Sequence, residues 1–166
     1  VRANPGKASY ASPGVGSGTH LGMEWLQGLI GVKMTHVPYQ GAAPALADVL
    51  AGHVDAMLDN AGNVVELIKA GKLRALGVTS EKRMEELPDT AAIAETFPEF
   101  VSTSWFGIVA PPKTPPAISA KISEAMREAL RAPDVTRKVR ELSANVVANS
   151  QEEMAAFLKA EVVLWR

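Results

Sequence analysis

The chain has 166 residues, 47% apolar and 21% charged, with a formal net charge of −1 and no cysteine. That composition belongs to a folded chain and excludes disorder, thiolate metal sites, Cys nucleophiles and disulfides. Lys and Arg are spread rather than clustered, which argues against a nucleic-acid or anionic-membrane partner, and no apolar run reaches the roughly 18 residues of a membrane span.

Residues 1–6 read as the last turn of a helix followed by breakers, so the true beginning is expected upstream, and a missing leader says nothing about compartment. Residues 7–12 are strand-like. They lead into Pro13-Gly14-Val15-Gly16-Ser17-Gly18, a loop tolerant of unusual backbone angles. Ser17 or Thr19 can then cap a helix over 20–30, with Leu21, Trp25, Leu26, Leu29 and Ile30 forming an apolar stripe. A strand over 32–39 and a helix over 42–51 follow, then a short buried strand over 54–58. A helix over 64–70 and a strand over 73–79 complete the alternation, which predicts a parallel α/β sheet.

The stretch 82–99 is polar and broken by Pro88 and Pro98, leaving room for a short helix near 91–95. Strand character returns at 102–110. Three amphipathic helices are expected at 117–131, 134–142 and 151–165. Thr114 is the expected cap of the first, and Ser150 with Glu153 makes a capping box for the last. Three helices with one strand near them imply that their main sheet lies outside this chain.

The best candidate site is the glycine-rich turn. Between a strand and a helix start, Gly16, Ser17, Gly18, Thr19 and His20 offer free N–H groups and a helix dipole to an anion. A structural turn with a capping hydroxyl is the alternative. The spacing fits neither a dinucleotide fingerprint nor a phosphate-binding P-loop, and Ser17 does not sit in Gly-x-Ser-x-Gly. Asp59 and Asn60 follow a buried strand at the carboxyl edge of the sheet, where open α/β folds bind ligands, although a helix cap explains them equally. Tyr39 could present its hydroxyl to a ligand and Gly41 could admit a close backbone approach; a packed Tyr beside a structural glycine is the other reading. His20, His36 and His53 lack metal-ligand spacing, and His36 and His53 read as structural. A Ser17–His20–Asp59 hydrolase has no nucleophile elbow behind it. Trp105 and Phe106 read first as core and second as a cleft wall.

The ordered set Asn4-Pro5-Gly6-Lys7, Ser12-Pro13-Gly14-Val15-Gly16-Ser17-Gly18-Thr19-His20, Val37-Pro38-Tyr39-Gln40-Gly41-Ala42-Ala43-Pro44-Ala45, Leu50-Ala51-Gly52-His53-Val54-Asp55, Ala70-Gly71-Lys72-Leu73-Arg74-Ala75-Leu76 and Trp105-Phe106-Gly107 resembles the Bug family. Its members are the extracytoplasmic solute-binding receptors of tripartite tricarboxylate transporters. The resemblance covers essentially the whole chain. It implies an α/β type II periplasmic-binding-protein-like fold, of which this chain is a fragment. Residues 1–101 would be most of the second lobe, and residues 102–166 the returning strand and the C-terminal helices that complete the first lobe, whose own sheet is absent.

The same resemblance implies a periplasmic protein that captures a small carboxylate between two lobes for membrane subunits of the transporter, with no catalysis, cofactor, metal or nucleic acid. Gly16, Ser17, Gly18, Thr19 and His20 would form one anion-holding turn, Asp59 and Asn60 would lie across the lobe edge, and Tyr39 and Gly41 would stand nearby. Alone, the fragment is expected to self-associate through its last helices. The rival readings are the effector-sensing domain of a transcription regulator and a hydrolase using Ser17.

Overall fold

Tyr10 and Ala11 are almost completely buried and Ser12 with them, so the strand they form is covered on both faces, as the central strand of a parallel sheet must be. In the computed structural model, which describes residues 6–165, that strand is β1 (Ser9–Ser12). It lies between β2 (Thr35–Pro38) and β3 (Ala56–Met57), parallel to both, in the order β2-β1-β3. Tyr10 pairs with His36 on one side and with Ala56 on the other. Each strand runs into a helix: α1 (Gly18–Ile30), α2 (Ala42–Leu50) and α3 (Ala61–Lys69). The helix end expected within residues 1–6 falls, except for Gly6, outside the described residues.

The chain divides into two compact units, Val1–Trp105 and Phe106–Arg166. In the first, Ala11, Ala45 and Val54 form a core with Val37, Tyr39, Val49 and Met57 packed on it. Phe100 is fully buried and meets the Trp25 ring at a centroid distance of 4.8 Å.

The apolar stripe expected on α1 is only partly covered. The buried residues are Gly22, Met23 and Gln27, while Leu21 is 37% exposed. Gly22 sets the approach: a Cβ there would stand 2.9 Å from both Leu58 Cδ2 and Ser102 Oγ, so the helix docks through its smallest residue. Gln27 is tolerated inside because it donates to Glu24 Oε1 at 3.0 Å and accepts the Met34 N–H at 2.5 Å, leaving no orphaned amide.

Two expected strands do not form. Residues 73–79 have a single parallel bridge, Val78 to Ala92, beside a 3-10 turn at Ile93–Glu95. Residues 102–110 lack regular structure and are exposed from 103 onward, with Phe106 90% and Trp105 42% exposed. A strand needs a neighbouring strand for its backbone groups, and among the described residues no strand pairs with 102–110, although the Ser102 N–H does reach the Thr79 carbonyl at 3.0 Å. The core packing expected of Trp105 and Phe106 fails for the same reason.

Near that bridge, Arg83 grips Glu95 with two nitrogens at 2.7 and 2.8 Å, and the Ala92 N–H adds a bond of 2.9 Å. Arg83 first, then the Ala92 N–H, hold the Glu95 carboxyl down at about 2, from an ordinary 4.5. Because the folded value is depressed, the stabilisation is complete above the unfolded value and is lost as pH falls from about 4.5 to about 2. Melting temperature should decline across that window, and Arg83→Ala should flatten the decline; equal slopes in both proteins would contradict the assignment.

The second unit contains α4 (Pro116–Arg131), α5 (Pro133–Glu141) and α6 (Gln151–Leu164). Thr114 does not cap α4 as expected. Pro115 holds the cap position, and Thr114 Oγ1 donates to the Pro111 carbonyl at 2.9 Å, because consecutive prolines preset the helix start one residue later. The capping box on α6 does form: the Glu153 N–H reaches Ser150 Oγ at 3.2 Å, and the Ser150 N–H reaches Glu153 Oε2 at 2.6 Å. None of the three helices buries a residue, and Ile118, Ile122, Val162 and Val163 stand exposed.

Candidate functional site

All three strands of the first unit are parallel, so the turns that follow them lie along one carboxyl edge, and α1, α2 and α3 all begin there. None of these helices carries an acidic residue in its first turn. In the second unit α4 likewise has none, whereas α5 carries Asp134 and α6 carries Glu152 and Glu153. The starts of α1 and α2 carry no carboxylate of their own, whereas Asp59 stands immediately before the cap of α3, so the potential that favours an anion lies at the first two.

The glycine-rich turn is held from within. The Ser17 N–H and hydroxyl both donate to the Gly14 carbonyl, at 3.2 and 2.8 Å, and Ser17 Oγ accepts the His20 N–H at 3.2 Å. Ser17 is thus the cap of α1, and its hydroxyl proton is engaged. Gly16, at φ 81°, occupies backbone space that a side chain disfavours, and its N–H donates to His20 Nδ1 at 3.2 Å. Among the described residues the N–H groups of Gly18 and Thr19 have no acceptor. Thr19 Oγ1 lies 3.4 Å from Ser17 Oγ. Ser17, Thr19 and His20 are half-buried, while Gly16 and Gly18 are exposed.

The second turn is laced to the first. The Tyr39 N–H donates to the Ser12 carbonyl and the Gly41 N–H to the Pro13 carbonyl, both at 2.9 Å. The Tyr39 hydroxyl donates to Asp48 Oδ2 at 2.6 Å. That bond raises the phenol above its usual range, and with His53 it depresses the Asp48 carboxyl. The Tyr39 hydroxyl and the N–H groups of Tyr39 and Gly41 are thus all engaged within the protein.

At the third turn, Asp59 Oδ1 accepts the Asn60 N–H at 2.8 Å and Asn63 Nδ2 at 2.9 Å. Its other oxygen, Oδ2, is buried with no hydrogen-bond partner. Asn60 is the cap residue of α3 by backbone, but its side chain makes no cap bond and the residue is exposed. Asp59 therefore braces the start of α3, and the Asn60 amide stands at the surface beside it.

A cluster that residue patterns did not foretell supports the first turn. Tyr10 and His36 face each other across β1 and β2 with ring centroids 4.8 Å apart, and His20 from α1 stacks on His36 at 4.2 Å. His36 Nε2 lies 2.7 Å from Ser12 Oγ, which contacts both the N–H and the carbonyl of Gly14 at 3.3 Å. Burial first, then the neighbouring His20, keeps the His36 imidazole below its usual range. The only advance signal was His36 and Tyr10 on adjacent strands. Pairing register cannot be read from spacing.

Two concavities elsewhere on the surface are lined by Arg131, Thr136, Arg137 and Arg140, and by Gln27, Val32, Lys33 and Met34; neither includes a rim residue. Among the described residues no group of three His, Asp or Glu is placed to hold a metal ion.

One prediction tests the cap. Ser17→Ala should cost about 1 kcal/mol of stability, the usual worth of an N-cap, read by urea unfolding; an unchanged midpoint would show that the turn holds itself without the hydroxyl.

The chain is similar to several known proteins. The family model described as tripartite tricarboxylate transporter family receptor matches residues 1–166. A UPF0065 protein of Pseudomonas sp. (strain P51) is 37% identical over 168 residues, covering 100% of this chain and 50% of that protein. The periplasmic binding protein BugD superposes with a TM-score of 0.91 at 34% identity, covering 99% of this chain and 56% of BugD. The R. palustris protein Rpa4515 with adipate gives 0.90 at 34% identity, covering 99% and 55%. MatC from Rhodopseudomonas palustris with bound malate gives 0.88 at 30% identity, covering 96% and 56%. The chain thus spans about half the length of the proteins it matches, as a part of a type II periplasmic-binding-protein-like fold. No regulator or hydrolase stands among these relatives. The chain belongs to the tripartite tricarboxylate transporter family receptors, the Bug periplasmic solute-binding proteins.

Proposed function

We propose that the protein carrying this chain captures a small carboxylate in the periplasm, between two lobes, and presents the closed, loaded form to the membrane subunits of a tripartite tricarboxylate transporter. The observation that carries this reading is the rim, where three helices begin along one edge and, among the described residues, Gly18 and Thr19 at the start of α1 hold N–H groups without acceptors. Neutral donors at a helix start bind a carboxylate without burying a Lys or Arg. Solved relatives with adipate and with malate support a di-acid of four to six carbons. Gly16, Ser17, Gly18, Thr19 and His20 form the first anion-holding turn in this reading, with Asp59 and Asn60 opposite and the main chain of Tyr39 and Gly41 alongside.

Residues 1–101 then make most of the second lobe, and residues 102–166 supply the returning strand and the helices that complete the first. The open apolar faces of α4 to α6 and the exposed 103–110 stretch support this, since they lack the sheet that would cover them. Lobe closure excludes water and strengthens each N–H to carboxylate bond. No reaction is involved: the ligand's free energy of binding is spent on stabilising the closed state.

Calorimetry on the intact two-lobe protein with a panel of dicarboxylates, amino acids and aromatic acids tests the proposal. Saturable binding of at least one carboxylate is expected, and failure of every anion would refute it. The isolated chain should self-associate in sedimentation, and a monodisperse monomer would count against the lobe assignment.

A further inference from the structure

The first unit holds a bent column of three stacked rings, buried Tyr10 and half-buried His36 and His20, contributed by β1, β2 and α1 in turn. Both histidines reach from this column to the glycine-rich turn. His20 does so directly, through Nδ1 to the Gly16 N–H at 3.2 Å. His36 does so through Ser12, whose hydroxyl is 2.7 Å from Nε2 and 3.3 Å from the Gly14 N–H. A main-chain N–H can only donate, so the ring nitrogen that receives it carries no proton. The bond to Gly16 therefore exists only while His20 is neutral. A second proton on His20 would place two N–H groups against each other and a positive charge against the stacked His36.

We propose that His20 is a positioning residue of the anion-binding turn: its neutral imidazole, steadied by the ring column, fixes Gly16, so that acidification releases the turn and weakens carboxylate capture. This rests on the functional reading above. It assigns His20 to shaping the turn that exposes the Gly18 and Thr19 N–H groups, and not to donating its own ring N–H to the ligand.

His36 stacks on His20 from β2, and Tyr10 stands to the side of His36 with its ring centroid 6.4 Å from that of His20. Glu24, one turn further along α1, accepts the Tyr10 hydroxyl and the Gln27 amide. Its charge is thus engaged at the far end of the column.

Two substitutions separate the roles of this side chain. His20→Asn puts an amide oxygen where Nδ1 stands, keeping an acceptor that does not titrate. His20→Phe keeps the ring in the column and removes the acceptor. In the intact receptor, malate and adipate affinities should be nearly independent of pH in His20→Asn from about pH 8 to about pH 5, the range over which imidazoles change charge. The parent protein should lose affinity toward the acid end. His20→Phe should bind roughly tenfold more weakly at all pH values, the worth of about one hydrogen bond. A readout free of ligand runs beside these: the Gly16 amide resonance should follow the His20 imidazole through its titration and stand still in His20→Asn.

A Gly16 amide that ignores the His20 titration would overturn the proposal, whether or not any carboxylate binds. Parent affinity that rises on acidification, with that rise absent in His20→Asn, would overturn it too, by showing that the charged ring attracts the ligand. If no carboxylate binds yet the Gly16 amide tracks His20, the positioning role stands and the carboxylate reading falls.

Discussion

Tyr10→Ala should lower the unfolding free energy by about 3–5 kcal/mol, in the range of large aromatic truncations in a packed core. Tyr10 is fully buried on the central strand and stacks on His36. Its hydroxyl donates to Glu24, and burial first, then Glu24, raises the phenol well above its ordinary range. Truncation would therefore remove the buried end of the ring column on which His36 stacks, remove the proton donor to Glu24 and loosen the glycine-rich turn through His36 and Ser12. Tyr10→Phe separates these effects. It keeps the ring and leaves Glu24 with Gln27, so it should cost only about 0.5–1.5 kcal/mol, one hydrogen bond. Urea unfolding of the intact protein reads both, as a shift in midpoint at constant slope. If the two variants were equally stable, the column would not be the support claimed for it.

Gly16→Val should weaken carboxylate binding by roughly tenfold or more, while changing global stability far less than Tyr10→Ala. Gly16 sits at φ 81° with no atom within 4 Å of a would-be Cβ. The cost of the substitution is therefore backbone strain and not collision. A β-branched residue held at positive φ carries strain of about 1–3 kcal/mol, and the exposed turn can relieve it by rearranging. Rearrangement withdraws the Gly16 N–H from His20 Nδ1 and re-aims the start of α1, where Gly18 and Thr19 face the rim. Calorimetry with malate and adipate measures the loss. Unchanged affinity would mean that the turn does not shape the site.

The parts of this architecture that announce themselves in the sequence are local. Gly14, Gly16 and Ser17 mark a strand-to-helix turn because their backbone and capping chemistry belong nowhere else, and Ser150 with Glu153 marks the start of α6. Alternation of apolar runs with Gly stops, such as Gly31 and Gly52, both at positive φ, indicates three βα units before any coordinates exist. What stays hidden depends on partners far along the chain. The stretch 102–110 has strand composition, yet among the described residues it has no neighbouring strand and stays irregular. Gln27 looks like a surface residue until Glu24 and Met34 satisfy it inside. His20 and His36 are sixteen residues apart, and only the register of Tyr10 against His36 brings the rings together.

The central claim is that unpaired main-chain N–H groups at the start of α1 hold the carboxylate. Amide chemical shifts recorded during a titration of the intact, isotope-labelled protein with malate, and then with adipate, test it most directly. The account predicts saturable shifts that are largest at Gly18 and Thr19, smaller at the starts of α2 and α3, and smallest in α5. Saturable binding that leaves the Gly18 and Thr19 amides unmoved would contradict it.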